Sequence, residues 1–168
     1  MTERIESFPP VYTPKARVLI LGTMPSVKSL EQSFYYGHPR NAFWRIMADV
    51  FSVKRPETAE EKKALLNTRE IALWDVCASC VRSGSLDSAI RDVAPNDLTW
   101  LYGRLPRLRR VLFNGGAAEQ LYIRHVGCLP EGCASARLPS TSPAYTMPYE
   151  AKLARWRAEL EEALCVIQ

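Results

Sequence analysis

Three short apolar runs, each followed by a turn and then by a helical pattern, constrain the fold of this chain more than any other feature. Residues 17–21, 71–76 and 110–114 are rich in Val, Ile and Leu, which is typical of strands that are buried on both faces of a parallel sheet. A fourth strand is predicted at 134–138. Strands that alternate with helices predict a three-layer α/β/α fold with a central, mostly parallel four-stranded sheet.

The helical patterns lie between these runs and after the last of them. Apolar residues recur at helical spacing within 41–51, and the charge-rich segment 57–69 predicts a second helix. Further helices are predicted at 117–125 and 149–165, a short one from Asn96 as its cap through Leu101, and another that begins at Ser85 or Asp87. Residues 79–85 are predicted to form a polar loop. Nothing in the sequence marks a linker, so residues 1–168 are expected to form one domain.

Composition and charge limit the class of protein. Hydrophobic residues make up 47% of the chain and charged residues 24%, which is ordinary for a globular protein. The net charge of +4 permits a nucleic-acid partner but does not demonstrate one. The first residues lack the basic end and apolar run of a secretory signal, and no run reaches membrane-spanning length. We therefore expect a cytoplasmic protein with no membrane contact.

The five cysteines raise the question of a metal site. Their odd number, in a chain without an export signal, favours free thiols. Cys77 and Cys80 have CxxC spacing, and Cys128 and Cys133 form a second, looser pair, so a zinc or iron–sulfur site has to be considered. The second pair has the wrong gap for a zinc ribbon. We therefore predict no metal.

Ligands of parallel sheets bind beyond the carboxyl ends of the strands, where the loops at 22–26, 114–116 and 139–143 are expected to meet. The first of these loops lacks the spacing and the lysine of a P-loop and the glycines of a dinucleotide fingerprint, so no nucleotide cofactor is predicted. Neither His38 nor His125 accompanies a nucleophile motif. The groups that remain are carboxamides, hydroxyls, backbone amides and aromatic rings.

These groups suit a flat heterocycle, which is held by stacking on a ring and identified through its edge. Asn41 and Asn114 supply carboxamides, and Tyr35, Tyr36 and Phe43 supply rings, of which Tyr36 is predicted to lie in a loop. The start of a predicted helix favours a core position for Phe43 and Trp44. Asn114 equally suits the end of a strand before a tight turn. The hydroxyls of residues 140–142 suit phosphate contacts or simply a soluble loop.

In order along the chain, the segments VLILGTMPSVKSL, FYYGHPRNAFW, ALWDVCASCVRSGSLDSAI, VLFNG and LPSTSPAYT resemble the hypoxanthine-DNA glycosylase branch of the uracil-DNA glycosylase superfamily. The most specific part is GHPRNAFW after GTMPS. The resemblance implies a monofunctional, cofactor-free, monomeric DNA glycosylase of base excision repair. Such an enzyme flips a deaminated base, here hypoxanthine, out of double-stranded DNA and hydrolyses its N-glycosidic bond.

Three alternatives stay open beside this hypothesis. In the first, the preferred base is uracil or the enzyme is specific for G:T or G:U mismatches, because uracil presents a carbonyl and N–H edge similar to that of hypoxanthine. In the second, the chain binds damaged DNA without cutting it. In the third, the chain is an enzyme of the same fold class that acts on a free nucleoside.

The resemblance also implies roles for individual residues. Many branches carry an Asn or Asp in the first motif where this chain has Met24, so the usual mechanism does not transfer, and Asn41 is the predicted catalytic residue. Leu138 stands where a histidine often opens the second motif. The predicted base-binding residues are Gly22, Thr23, Met24, Pro25, Tyr36, Phe43 and Asn114. The predicted DNA-binding residues are Ser26, His38, Ser140, Thr141, Ser142, Ala144 and Tyr145.

Overall fold

The computed structural model describes residues 3–165. Its strands are β1 (Arg4–Glu6), β2 (Val18–Gly22), β3 (Ile71–Asp75), β4 (Cys77–Val81), β5 (Arg91–Pro95), β6 (Arg110–Asn114) and β7 (Ala134–Leu138). Its helices are α1 (Val27–Gln32), α2 (Phe43–Phe51), α3 (Ala59–Thr68), α4 (Leu98–Tyr102), α5 (Gly116–His125) and α6 (Tyr149–Leu164), and a 3₁₀ turn covers Asp87–Ala89.

The central sheet has four parallel strands in the order β3-β2-β6-β7. Every residue of β2 and β3 is buried, as their continuous apolar runs require. Helix α3 packs on β3, α5 packs on β6 and β7, and α2 packs on α6. The predicted α/β fold with its parallel four-stranded sheet is confirmed. The register sets Gly22 opposite Asp75 and Asn114 opposite Leu138, so the strands end together at one edge of the sheet.

A second, antiparallel sheet of the order β1-β4-β5 was not predicted from the sequence. The predicted polar loop at 79–85 is therefore wrong at its start, because residues 79–81 belong to β4 and pair with Arg4–Glu6. The pairing joins segments more than 70 residues apart, and such long-range contacts leave little trace in local periodicity. Cys77 and Cys80 on β4 pack with Met24 in a small buried cluster.

Several helix boundaries also differ from the prediction. Asp97, not Asn96, caps α4, since its carboxylate accepts a hydrogen bond from the backbone N–H of Trp100 at 3.0 Å. Asn96 instead donates its side-chain amide to the backbone oxygen of Asp75 at 2.8 Å, which fixes the end of β3. Helix α1 was not predicted, and α2 begins two residues after the predicted start. None of the helices within residues 3–165 has the length and apolar character needed to cross a membrane.

The predicted cysteine pairs lie in different parts of the fold. Cys77 and Cys80 are buried free thiols in the second sheet, whereas Cys128 is exposed and Cys133 is partly exposed beyond α5. The thiol of Cys133 donates to the backbone oxygen of Leu108 at 3.2 Å. Over residues 3–165, no three His, Cys, Asp or Glu side chains are grouped in a way that could hold a metal ion.

Candidate active site

A cavity of about 410 Å³ opens at the carboxyl ends of the parallel strands. This volume lies within the usual range of small-ligand pockets. The cavity is formed by the loop after β2, the segment 35–41 before α2, the end of β3, residues 85–88, the turn between β6 and α5, and the loop after β7. These are the loops that the strand order brings to one edge of the sheet.

Most of the predicted site residues line this cavity. The lining includes Gly22, Thr23, Met24, Pro25, Ser26, Tyr36, Asn41, Asn114, Ser140, Thr141, Ser142, Ala144 and Tyr145. Two of the predicted residues, Phe43 and His38, are not part of the lining. Phe43 is completely buried behind Tyr36, and His38 accepts a hydrogen bond from the backbone N–H of Arg40 at 3.0 Å through its Nδ1.

Tyr36 presents a partly buried ring to the cavity. Its ring stacks on that of Phe43, with the centroids 4.2 Å apart and the planes inclined by 26°. Its φ of 54° lies in the left-handed region, which non-glycine residues adopt rarely and often at functional sites. The Tyr36 hydroxyl is buried and has no hydrogen-bond partner among the described residues. Burial and the nearby Asp75 carboxyl raise the pKa of this phenol, while the adjacent Asn114 side chain acts in the opposite direction.

Asn41 is held at the start of α2, where it lines the cavity. Its Oδ1 accepts a hydrogen bond from the backbone N–H of Phe43, the first residue of α2, at 2.9 Å. The next residue, Ala42, donates its backbone N–H to the backbone oxygen of Thr141 at 3.0 Å. The carboxamide of Asn41 is therefore oriented by the helix and tied to the loop after β7.

Asn114 and Thr141 form a closed pair of hydrogen bonds. The Asn114 amide nitrogen donates to the Thr141 hydroxyl at 3.0 Å, and the Thr141 backbone N–H donates to Asn114 Oδ1 at 2.9 Å. Thr141 is only 1% exposed. The sequence could not reveal this pairing, which uses Asn114 to hold the loop and leaves it one amide hydrogen for a ligand.

The loop after β7 is held at its base by hydrogen bonds from α6 and is exposed at its tip. From α6, the Lys152 ammonium donates to the backbone oxygen of Ser142 at 3.1 Å, and the Trp156 indole donates to that of Pro139 at 2.9 Å. Burial lowers the pKa of Lys152. Ala144 is exposed, and Tyr145 is 43% exposed at the rim of the cavity. The loop is thus fixed at its base and presents an aromatic side chain to solvent.

Asp75 is a buried acidic residue of the cavity that sequence reasoning missed. It ends β3, is only 3% exposed, and its Oδ2 is buried with no hydrogen-bond partner within residues 3–165. Burial and the Asp87 carboxylate raise the pKa of Asp75 to about 7, against an opposing effect of Arg82. The available signal was a carboxylate that ends an apolar strand at the edge where the other candidate residues lie.

Gly22 gives the Asp75 and Tyr36 side chains the space that they occupy. A Cβ at Gly22 would lie 2.6 Å from Asp75 Oδ1 and 2.8 Å from the Tyr36 hydroxyl oxygen. Both side chains are held in a packed interior, so Gly22→Ala is expected to lower the free energy of unfolding by about 1–3 kcal/mol. Urea denaturation measures this change.

The matched control is Gly103→Ala, because a Cβ there would be 3.4 Å from its nearest neighbour, a backbone oxygen. Gly103 has an ordinary helical φ of −62°, so we expect a change of less than about 1 kcal/mol. Equal effects of the two substitutions would contradict the proposed steric role of Gly22.

Basic side chains lie in two depressions that adjoin the cavity. The first shares Asn41 and Tyr145 with it, and the second shares Gly115, Gly116, Ser140 and Tyr145. The basic residues of these depressions are Arg40, Arg45, Arg55, Lys152, Arg137 and Arg155. Positive charge around a cavity attracts a polyanion such as a nucleic acid.

Comparison with known proteins agrees with this geometry. Residues 9–165 match the family model of the Uracil DNA glycosylase superfamily. A hypoxanthine DNA glycosylase of Methanosarcina acetivorans is 36% identical over 152 residues, which cover 90% of this chain and 94% of that protein. A hypoxanthine DNA glycosylase of Methanosarcina barkeri is 35% identical over 111 residues, which cover 66% of this chain and 70% of that protein.

A protein of Methanosarcina acetivorans that was solved by solution NMR and assigned to the uracil DNA glycosylases has the same fold. It superposes with a TM-score of 0.81 at 32% sequence identity, and the match covers 96% of this chain and 99% of that structure. The family match spans nearly all of the chain, and both sequence and structure support it. The chain therefore belongs to the uracil DNA glycosylase superfamily.

Proposed function

We propose that the chain is a monofunctional DNA glycosylase that releases hypoxanthine from double-stranded DNA. One observation carries the proposal. The cavity at the strand ends combines a partly buried aromatic ring, an oriented carboxamide and buried polar groups that lack partners within residues 3–165, and basic side chains flank it. The relatives named as hypoxanthine DNA glycosylases support the choice of base.

The cavity can receive the base only after the nucleotide has rotated out of the duplex. Tyr36 stacks on the extruded base with the ring face that is not covered by Phe43. The buried Tyr36 hydroxyl, the Asp75 carboxyl and the remaining amide hydrogen of Asn114 then surround the base with hydrogen-bonding groups. Stacking holds the heterocycle, and the polar groups select its edge.

The loop after β7 holds the DNA on either side of the extruded nucleotide. Thr141 is buried and hydrogen bonded, so the phosphate contacts fall to Ser140 and Ser142. Each of these hydroxyl oxygens accepts a backbone N–H at 3.2 Å, which leaves its own hydrogen free to donate to a phosphate. The exposed ring of Tyr145 fills the vacated position in the base stack.

The reaction breaks the bond between C1′ of the sugar and N9 of hypoxanthine. The electron pair leaves with the purine, and positive charge develops on the sugar, where the neighbouring phosphates stabilise it. A water molecule held by Asn41 attacks C1′ and loses a proton to solvent, while the purine gains one. A carboxamide is a poor base, so Asn41 accelerates the reaction by positioning. A Schiff-base step requires a lysine at the active site, and no lysine within the described residues lines the cavity.

Excision assays on duplex oligonucleotides that carry one hypoxanthine, uracil or xanthine test this function. We expect the hypoxanthine strand to break after alkaline treatment and not before, since a monofunctional enzyme leaves an intact abasic site. Faster release of uracil would show that the proposed base is wrong. Nanomolar lesion binding without release of any base would show a binding module instead of an enzyme.

A further inference from the structure

We propose that the carboxyl group of Asp75, in its neutral form, reads the hydrogen-bonding edge of the extruded base. Its hydroxyl donates to the ring carbonyl of hypoxanthine, and its carbonyl oxygen accepts the adjacent ring N–H. This assignment rests on the proposed function and names the group that recognises the substrate.

The position of Asp75 carries the first part of the inference. The residue ends β3, opposite Gly22 in the register, and it lines the cavity while only 3% exposed. Its backbone oxygen is fixed by Asn96 at 2.8 Å. The backbone of Asp75 is therefore held in place at the edge of the cavity, which gives its carboxyl group a fixed point of attachment.

The missing partner of Asp75 carries the second part. Polar atoms in protein interiors are nearly always hydrogen bonded, and a buried atom without a partner requires an explanation. Within residues 3–165, both Asp75 Oδ2 and the Tyr36 hydroxyl are buried and unpaired. Asp75 Oδ1 and the Tyr36 hydroxyl oxygen also lie within 3 Å of one point, the place where a Cβ of Gly22 would stand. Both residues line the cavity, and the edge of a base can supply the hydrogen-bond partners that these two atoms lack.

The protonation state decides what Asp75 can recognise. A neutral carboxyl offers one donor and one acceptor, which match the carbonyl and the N–H of hypoxanthine. A carboxylate offers acceptors only and repels the carbonyl oxygen. Burial and Asp87 raise the pKa of Asp75 to about 7, so the neutral form predominates below that pH. The charged or titratable groups that act on or respond to this carboxyl are Asp87, Arg82, Tyr35, Tyr36 and Cys77.

The test compares single-turnover excision of hypoxanthine by the wild type, Asp75→Ala and Asp75→Asn from about pH 6 to about pH 8. The wild-type rate is expected to fall about tenfold over this range as the carboxyl ionises. Asp75→Ala loses both hydrogen bonds and is expected to be about 10- to 100-fold slower at pH 6. Asp75→Asn keeps a donor and an acceptor, so it is expected to stay within about tenfold of the wild type at pH 6 and to lose the pH dependence.

Asp92→Asn is the matched control, since it makes the same change at an exposed residue of β5 with a φ of 53°, which Asn also tolerates. It is expected to keep the wild-type profile. The inference is overturned if Asp75→Ala excises with the wild-type rate and profile. It is also overturned if Asp75→Asn has the wild-type melting temperature but is as slow as Asp75→Ala. That result would indicate that Asp75 transfers its proton to the base and does not act by hydrogen bonding alone. Failure of the wild type to release hypoxanthine would instead overturn the proposed function.

Discussion

Asn41→Ala is expected to slow the excision of hypoxanthine by about 100-fold or more under single-turnover conditions. Asn41 lines the cavity at the start of α2, and its carboxamide is oriented by the hydrogen bond from the Phe43 backbone N–H. Ala cannot hold the attacking water, and small errors in the position of a reacting group are costly. Lesion binding is expected to change much less than the rate, because Tyr36 and the loop after β7 remain in place.

The substitution of Asn41 also removes the hydrogen bond that its side chain accepts from the Phe43 backbone N–H, which by itself costs about 1 kcal/mol of stability. Asn41→Ser separates the two effects, since a serine hydroxyl can accept the Phe43 N–H but lacks the carboxamide. We expect Asn41→Ser to unfold near the wild-type temperature and to excise as slowly as Asn41→Ala. Wild-type excision by either variant would remove Asn41 from the catalytic role. Measurement requires only thermal melts and the oligonucleotide assay.

The parallel sheet was predictable from sequence because its strands are buried on both faces. Such strands read as continuous apolar runs, as in Val18–Gly22 and Ile71–Asp75. The antiparallel sheet was not predictable on the same grounds. Its first strand has three residues, and the residues Cys77–Val81 mix thiols and a hydroxyl with apolar side chains. Its pairing depends on where the large sheet places these segments, which is tertiary information.

The candidate site, like the fold, was predictable from the sequence only in part. The loops were placed correctly because parallel strands end at one edge of the sheet, and the motif order then identified Tyr36 and Asn41 as cavity residues. The hydrogen-bond partners were not accessible, so the tie between Asn114 and Thr141 was missed. Asp75 was missed for a related reason. Asp75 became a candidate through its burial and through the lack of a hydrogen-bond partner for Oδ2 within residues 3–165, and a single sequence shows neither property.

Phe43→Ala is expected to lower the free energy of unfolding by about 3–5 kcal/mol, as for other fully buried aromatic residues. Phe43 has no exposed surface, stacks on Tyr36, and meets the rings of Trp44 and Trp156 edge to face at 4.8 and 6.0 Å between centroids. The loss is large relative to the stability of a typical domain. Urea denaturation at low temperature, where the variant keeps a folded baseline, measures it.

Phe43→Leu distinguishes two roles for Phe43. In one, Phe43 supports the Tyr36 ring by packing against it, and in the other, which the sequence predicts, Phe43 contacts the base directly. Leu fills most of the space, so we expect a loss of only about 1–2 kcal/mol. If Phe43 supports Tyr36 from behind, lesion affinity falls with stability across the wild type, Phe43→Leu and Phe43→Ala, because the same packing sets both. If Phe43 touches the base, Phe43→Leu loses lesion affinity out of proportion to its stability, since an aliphatic side chain cannot stack. Because Phe43 lies outside the cavity lining and Tyr36 within it, the first outcome is the expected one.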